Sequence, residues 1–199
     1  MRFKQIILGC LCLVVTASFV MAKEKKPEGK MDMQAMMETY TKLATPGEPH
    51  KQLASMAGSW NTKTKHWMEP NKPPMESPGS GEQKTLLGGR FLQQECTGEM
   101  MGQPFTGIGV IGYDNHTKKY VSTWMDSMGT GIYFMEGTSS ADGKTITQKG
   151  RYDDPIEGPM KLRGVTKIVD NNTEIFEMYG TDKKGKETKM MEITYTRKP

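Results

Sequence analysis

The chain has 199 residues, with 27 lysines and arginines, 23 aspartates and glutamates, and 35% hydrophobic residues. This length is sufficient for one domain with its own hydrophobic core. The charges are nearly balanced and form no clustered basic stretch, so the composition does not indicate a nucleic-acid-binding protein.

Residues 1–22 are predicted to be a secretory signal peptide. The basic start MRFK precedes a long apolar run, and Ala22 resembles a small-residue cleavage site before charged KEKKPEGK. The protein is therefore expected to be periplasmic or secreted, with no stable membrane span after cleavage. Lipoprotein anchoring at Cys10 is the less favoured alternative, because few apolar residues precede that cysteine.

Cleavage after Ala22 would leave one cysteine, Cys96, because Cys10 and Cys12 lie in the apolar run. An intramolecular disulfide is then excluded. A buried, unreactive thiol is the favoured interpretation. A homodimer through Cys96 or through edge contacts is the alternative, and it is not predicted.

The segment before residue 58 contains no strand pattern. Residues 23–30 are charged and lack apolar side chains, which predicts a disordered leader. Residues 31–57 are predicted to be helical, in two short helices that Pro46-Gly47 separates. Asp32 is expected to cap the first helix, and the face that carries Tyr40 and several methionines is expected to pack on the following domain.

Residues 58–199 are predicted to form an all-β domain, because short extended runs alternate with turn sequences. About ten strands are expected, near residues 59–68, 82–88, 90–100, 104–113, 119–126, 131–138, 144–152, 159–169, 173–180 and 187–197. Residues 71–81 are assigned to a Pro-, Gly- and Ser-rich loop. No helix of crossover length interrupts the hairpins, so the strands are expected to pair antiparallel and to close into an up-and-down barrel without exposed edges.

The stretch Gly58-Ser59-Trp60 stands at the junction between helix and first strand. It resembles the signature of calycins, the lipocalins and fatty-acid-binding proteins. That resemblance implies that Trp60 closes one end of the barrel and that a basic side chain of the last strand, here Arg197, lies across its ring. Gly58 would let the backbone turn sharply at this point.

A longer set of stretches resembles one narrower family. They are GGRFLQQ, GYDN, YVSTWMDSMGTGI, GRYDDP, EMYGTD and GKETKMMEITYTRK. They are similar to the bacterial family catalogued as domain of unknown function 1579, over roughly residues 48–198. The resemblance implies a calycin-like barrel in an exported bacterial protein, and it implies no established activity.

Two strands carry candidate ligand-binding residues. If Trp60 points into the barrel, a period of two places His66 on the same inner face. Trp124 and Asp126 share one face of a later strand, where the indole is suited to stack on a ligand and the carboxylate to orient it. The alternative for all three is a structural role, as a hydrogen-bonding histidine at the rim and a core tryptophan with a satisfied carboxylate.

Three further residues are added to the predicted site. Arg90 follows two glycines and is suited to bind an anionic group, or to form a structural ion pair. Glu177 and Tyr179 share a face and are predicted to contribute an acceptor and a hydroxyl group to a pocket.

The motifs of several enzyme classes are missing from the sequence. There is no phosphate-binding loop before a helix, no nucleophile elbow in the predicted mature chain, and no histidine spacing typical of zinc. No catalytic residue, cofactor or metal site is therefore predicted. The expected partner is a small, largely apolar molecule bound inside the barrel.

Two other functions stay open at this point. One is an enzyme that uses His66 or Asp126 as acid or base. The other is a methionine-rich metal or stress protein, since the chain has 18 methionines and Met31, Met33, Met36 and Met37 form a cluster of soft sulfur ligands. Helical packing explains that cluster as well.

N-terminal sequencing of the exported protein is expected to begin at Lys23, because the apolar run and the Ala22 junction predict cleavage there. A mature chain that starts at Met1, or at a lipidated Cys10, would contradict this prediction.

Overall fold

The computed structural model describes residues 32–70, 72–156 and 158–199. The predicted signal peptide, the Cys10 lipidation site and the predicted leader lie outside these residues. The chain divides into two compact units, residues 1–38 and residues 39–199. None of the described helices combines the length and the hydrophobicity of a transmembrane span.

The first helix, α1 (Met33–Ala44), begins at a side-chain cap. The Asp32 carboxylate accepts hydrogen bonds from the backbone N–H groups of Gln34 and Ala35, at 3.0 and 3.2 Å, and so satisfies donors that have no partner within the helix. Tyr40 is 63% exposed. The expected packing of this helix face is therefore wrong for Tyr40.

In the described part of the chain, ten strands form a closed antiparallel barrel, which confirms the predicted fold class. They are β1 (Gly58–His66), β2 (Met75–Leu86), β3 (Phe91–Met100), β4 (Gln103–Asp114), β5 (Lys119–Asp126), β6 (Tyr133–Ser139), β7 (Thr145–Asp154), β8 (Gly158–Asp170), β9 (Thr173–Thr181) and β10 (Glu187–Arg197). Each strand pairs with its neighbours in sequence, and β1 pairs with β10 to complete the ring. Closure leaves no edge strand unpaired.

Strand β2 begins at Met75, whereas the sequence pattern predicts a strand from residue 82 only. Most of the predicted loop over residues 71–81 is therefore strand. Its proline and glycines are typical of loops, yet β2 pairs along this stretch with both β1 and β3. A Cβ atom at Gly79 would lie 2.7 Å from Thr62 Oγ1 and 2.6 Å from the Thr97 carbonyl oxygen. Glycine is therefore needed here for close packing, not for a turn.

The pairing of β1 with β10 determines which side chains face the interior. Trp60 lies opposite Arg197, and Thr62 lies opposite Tyr195. Trp60 is fully buried. Directly opposed residues share a face, and side chains alternate along each strand, so the inner face of every strand follows from Trp60.

The second helix, α2 (Glu48–Ser55), covers the barrel end at which β1 begins. Leu53 of α2 and Met56, which follows the helix, are buried inside this end of the barrel. The core cluster there comprises Leu53, Met56, Leu92, Ile111, Tyr120 and Ile146. The buried His50 imidazole accepts a hydrogen bond from the Gly47 N–H at 3.0 Å and so fixes the start of α2. We call this end the closed end.

Arg197 joins the first strand, the last strand and α2. Its guanidinium carbon lies 4.1 Å from the centre of the Trp60 ring, a contact that contributes about 0.5–2 kcal/mol. Its nitrogens donate to the carbonyl oxygens of Ala57 at 2.7 Å, Ser55 at 3.0 Å and Asn171 at 2.7 Å. The guanidinium thereby satisfies the carbonyl groups of the last residue of α2 and of Ala57, two residues beyond it.

Gly58 is the residue that makes this approach possible. Its φ angle is +139°, a backbone conformation that other residues rarely adopt, and a Cβ atom there would overlap the Arg197 guanidinium. Replacement of Gly58 would therefore disturb both the backbone and the Arg197–Trp60 contact.

Trp60→Ala is expected to lower the free energy of unfolding by about 3–5 kcal/mol, because it empties the centre of the closed end. Phe134 on β6 is a matched aromatic control, since its side chain is 55% exposed. Phe134→Ala should change stability by only about 0.5 kcal/mol. Urea denaturation of the three proteins tests this, and equal losses for the two variants would contradict it.

Candidate functional site

The interior of the barrel is filled at the closed end and accessible at the other. Leu92, Tyr120 and Ile146 are at most 1% exposed. Several inward-facing side chains further along the strands remain half-buried although they lie away from the strand ends, whereas Met135 and Leu162 are buried. The half-buried side chains include Ser122, Phe176 and Ile193. We call this second part of the interior the open half.

Trp124 lies against the inner wall of the open half. Its indole covers Gly107 and Gly109 of the neighbouring strand β4, and a Cβ atom at Gly109 would lie 2.8 Å from the ring. Its Nε1–H donates to Asp126 Oδ2 at 2.9 Å. The other carboxylate oxygen of Asp126 accepts from the Met128 N–H at 3.0 Å. Asp126 therefore positions the indole along the wall.

Two tyrosines extend this surface. Tyr133 lies directly opposite Trp124 in the sheet, and its ring centre is 5.2 Å from that of Tyr152. Burial, a hydrogen bond with Tyr152 and the nearby carboxylates of Asp126 and Asp154 raise the pKa of Tyr133 to about 12. Its phenol is therefore neutral at physiological pH. We call Trp124, Tyr133 and Tyr152 the aromatic wall.

A different surface faces inward on β9, β10, β1 and β2. His66 lies opposite Met191 on one side and opposite Met75 on the other. Met191 in turn lies opposite Met178. Burial lowers the pKa of His66, which favours the neutral imidazole. We call these four residues the His–Met belt.

Polar side chains lie between the core cluster and the open half. Gln94 donates to Gln83 Oε1 at 3.2 Å, and Gln83 donates to Glu174 Oε2 at 3.2 Å. Tyr195 lies opposite Glu174, with its hydroxyl group 3.9 Å from Cys96 Sγ. We call these five residues the polar floor.

Burial changes the titration of the polar floor. It raises the pKa of Glu174 to about 7, although Gln83 donates to the carboxylate and the Arg197 charge is near. It also raises the pKa of the Cys96 thiol, so Cys96 is a weak nucleophile that faces the interior. The sequence pattern alone does not indicate a role for Glu174 or its partners. Only Tyr195 could have been predicted to face inward, because it lies two positions before Arg197 on the same strand and so shares its face.

The structure brings only part of the predicted ligand-binding set to the open half. His66, Trp124 and Asp126 face inward there, but His66 on β1 and Asp126 on β5 lie on strands that do not pair. Arg90 lies at the closed end, where it donates to the Leu87 carbonyl oxygen at 2.9 Å. It is therefore at the wrong end of the barrel for the predicted role.

Glu177 and Tyr179 face outward, so they do not line the interior. Glu177 forms ion pairs with Lys167 at 2.8 Å and with Lys189 at 2.7 Å. The Arg163 guanidinium lies 3.9 Å from the centre of the Tyr179 ring. Both residues therefore belong to a charged network on the outer face of β8, β9 and β10.

The outer surface also carries a shallow cavity of about 420 Å³, along β3, β4 and β5. Glu95, Thr97 and Ile108, which line it, alternate with the inward-facing residues and so point outward. Cys96, Gly107 and Asp126 also line it and face inward, so the cavity borders both faces of these strands. In the described residues, no group of three or more histidine, cysteine, aspartate or glutamate side chains is arranged to hold a metal ion.

The family described as "Protein of unknown function (DUF1579)" matches residues 45–197. The chain belongs to this family. The match covers the whole barrel of this DUF1579 protein, from before α2 to the last residue of β10.

Two solved structures share the calycin-like barrel of this DUF1579 protein. Rv2717c from M. tuberculosis is 14% identical, with a TM-score of 0.56 over 78% of this chain and 100% of the other. The S-type phycobiliprotein lyase CPES from Guillardia theta is 10% identical, with a TM-score of 0.53 over 75% of this chain and 92% of the other. At these identities the likeness shows the fold alone. No curated protein matches the chain at a significant level.

Glu174 is expected to make stability depend on pH. Its pKa of about 7 in the folded protein exceeds its ordinary value of 4.5, so between these pH values the folded state holds a proton that the unfolded chain has released. The free energy of unfolding should therefore fall as pH rises through this range. Glu174→Gln removes the effect and should be more stable than wild type at pH 8, by on the order of 3 kcal/mol.

Glu177→Gln is the matched control on the same strand. Burial alone would raise the pKa of Glu177, but hydrogen bonds from Lys167 and Lys189 outweigh it and lower the pKa to about 2. This variant should therefore be less stable than wild type above about pH 4.5. Denaturation curves from pH 4 to 8 measure both effects, and parallel curves for wild type and Glu174→Gln would contradict the assignment.

Proposed function

We propose that this DUF1579 protein binds a small, largely apolar ligand in the open half of its barrel. The observation that supports this is the contrast between the two halves. The closed half packs its own side chains, whereas Phe176 and Ile193, which face inward at the middle of β9 and β10, stay accessible to solvent. Apolar surface inside a barrel is stabilised when a ligand replaces the water that covers it.

The walls of the open half favour a flat or flexible apolar molecule. The aromatic wall offers ring faces for stacking, and its indole is already fixed by Gly107, Gly109 and Asp126, so little side-chain entropy is lost on binding. On the facing side, the methionines of the His–Met belt adapt to ligands of different shape, because their side chains are unbranched and flexible.

The polar floor favours a ligand with a polar group at its inner end. Gln94 is half-buried and stands between the open half and the buried pair of Gln83 and Glu174. A carbonyl, hydroxyl or carboxyl group at this depth would find amide donors and acceptors. An entirely apolar molecule would shield the remaining hydrogen-bonding capacity of the Gln94 amide from water, at a cost of about 1–3 kcal/mol.

The geometry supports an enzymatic function less well. Asp126 already accepts two hydrogen bonds, from the Trp124 indole and from a backbone N–H group. His66 lies on a strand that does not pair with the strand of Asp126, and Arg90 lies at the opposite end. The three residues therefore do not converge on one point where a substrate would react.

Two measurements test the proposal. Native mass spectrometry of protein purified from its own host should detect a co-purifying small molecule. Titration with fatty acids, aromatic acids and isoprenoids should change tryptophan fluorescence saturably, and most of this change should disappear in Trp124→Phe. If neither a bound molecule nor a saturable change is found, the protein does not bind such ligands.

Gly107→Ala is expected to weaken ligand binding without unfolding the barrel, because the added methyl group overlaps the Trp124 indole and displaces it towards the ligand. Gly129→Ala is the matched control, since no atom beyond the adjacent residues of the chain lies within 4 Å of the added methyl group. We expect a rise in Kd of about tenfold or more for Gly107→Ala, which corresponds to about 1.4 kcal/mol, and no change for Gly129→Ala. Equal affinities in all three proteins would exclude the indole from the site.

A further inference from the structure

Methionine sulfur is concentrated in the open half of the barrel. Six methionines on five different strands lie there. Each either occupies an inward-facing position of its strand or directs its sulfur atom inward. They are Met75, Met100, Met160, Met178, Met190 and Met191. A core filled for packing alone usually relies on branched aliphatic side chains and uses methionine as a filler. This concentration therefore calls for a chemical explanation.

One imidazole lies in the middle of this sulfur-rich surface. His66 lies directly between Met75 on β2 and Met191 on β10, and all three face inward. Side chains at directly opposed positions start about 4.5–5.5 Å apart. A histidine ring nitrogen and the thioethers of its two neighbours are thus within reach of one common atom, and Met178 is the next residue of the same belt.

The imidazole is also free to act as a ligand. Among residues 32–70, 72–156 and 158–199, the His66 side chain has no hydrogen-bond, ion-pair or ring partner. It is half-buried, and burial without a partner costs free energy. A bound group that accepts the nitrogen lone pair would remove this cost.

We propose that His66, Met75 and Met191 bind one copper(I) ion, with Met178 available as a further sulfur ligand. Thioethers are soft ligands that select copper(I), and imidazole also suits copper. No carboxylate of β1, β2 or β10 points into this belt, since the glutamates of these strands next to it, Glu76 and Glu192, face outward and pair with lysines. The site therefore lacks the hard oxygen ligands that magnesium and calcium require.

This site differs from the metal alternative that the sequence suggested. That alternative relied on the Met31–Met37 cluster, where helical spacing alone brings the methionines together. In the belt, the grouping arises from three separate strand pairings and includes a nitrogen ligand. The belt methionines also border the proposed apolar-ligand site, but the copper(I) proposal does not rest on that one, because the aromatic wall and the polar floor take no part in it.

The test is an anaerobic titration of the full chain with copper(I) in competition with the chromophoric chelator bicinchoninate. Wild type is expected to bind one equivalent. His66→Gln, Met75→Leu and Met191→Leu should each weaken the affinity more than about tenfold, since even outer-shell partners of a metal have effects of this size. Leucine keeps the side-chain volume, so circular dichroism should show an intact barrel.

Two controls separate the belt from other methionines. Met125→Leu alters an outward-facing methionine of β5, and the combined change of Met33, Met36 and Met37 to leucine alters the helix cluster. Neither should change the affinity. Silver(I), which is redox-inert, should shift the methyl resonances of Met75 and Met191 in NMR spectra of wild type. The proposal is overturned if wild type binds no copper(I), if the helix variant alone loses it, or if zinc(II) competes equally for the site.

Discussion

The contact between the Arg197 guanidinium and the Trp60 indole is the constraint on which the barrel depends. It joins the two strands that close the ring, and the same guanidinium donates to carbonyl groups at the C-terminal end of α2 and in the β8–β9 turn. It thereby specifies the pairing of β1 with β10. A slip of one residue there would turn every inward side chain of β10 outward, because side chains alternate along a strand. The identity of the interior surface therefore depends on this one contact.

The two halves of the interior differ in how their side chains are packed. The closed half buries large apolar side chains under α2 and supplies the rigid support. The open half departs from ordinary core packing, because it contains an imidazole without a described partner and a row of thioethers. The polar floor below it adds a carboxyl group whose pKa burial raises to about 7. Such departures reduce stability, and they are usually found where a protein binds something.

Alternation and turn residues were sufficient to predict the strand number, the closure and the inward side of β1. They failed at residues 75–81, where close packing requires glycines that are typical of loops elsewhere. They also failed on β9, because both of its faces carry one glutamate and one aromatic ring, so only pairing with β10 shows that Glu177 and Tyr179 point outward. The error for Arg90 was avoidable, since the β2–β3 turn of an up-and-down barrel must lie at the end where β1 begins.

The position of Cys96 gives the barrel a chemical reporter of its own. The other two cysteines lie in the predicted signal peptide, so a mature chain would carry a single thiol. That thiol faces the polar floor beside Tyr195, and burial makes it slow to ionise. An alkylating reagent that enters through the open half would reach it. The rate of thiol alkylation would measure how freely molecules of different size pass into the barrel, and a resident molecule would protect the cysteine from modification.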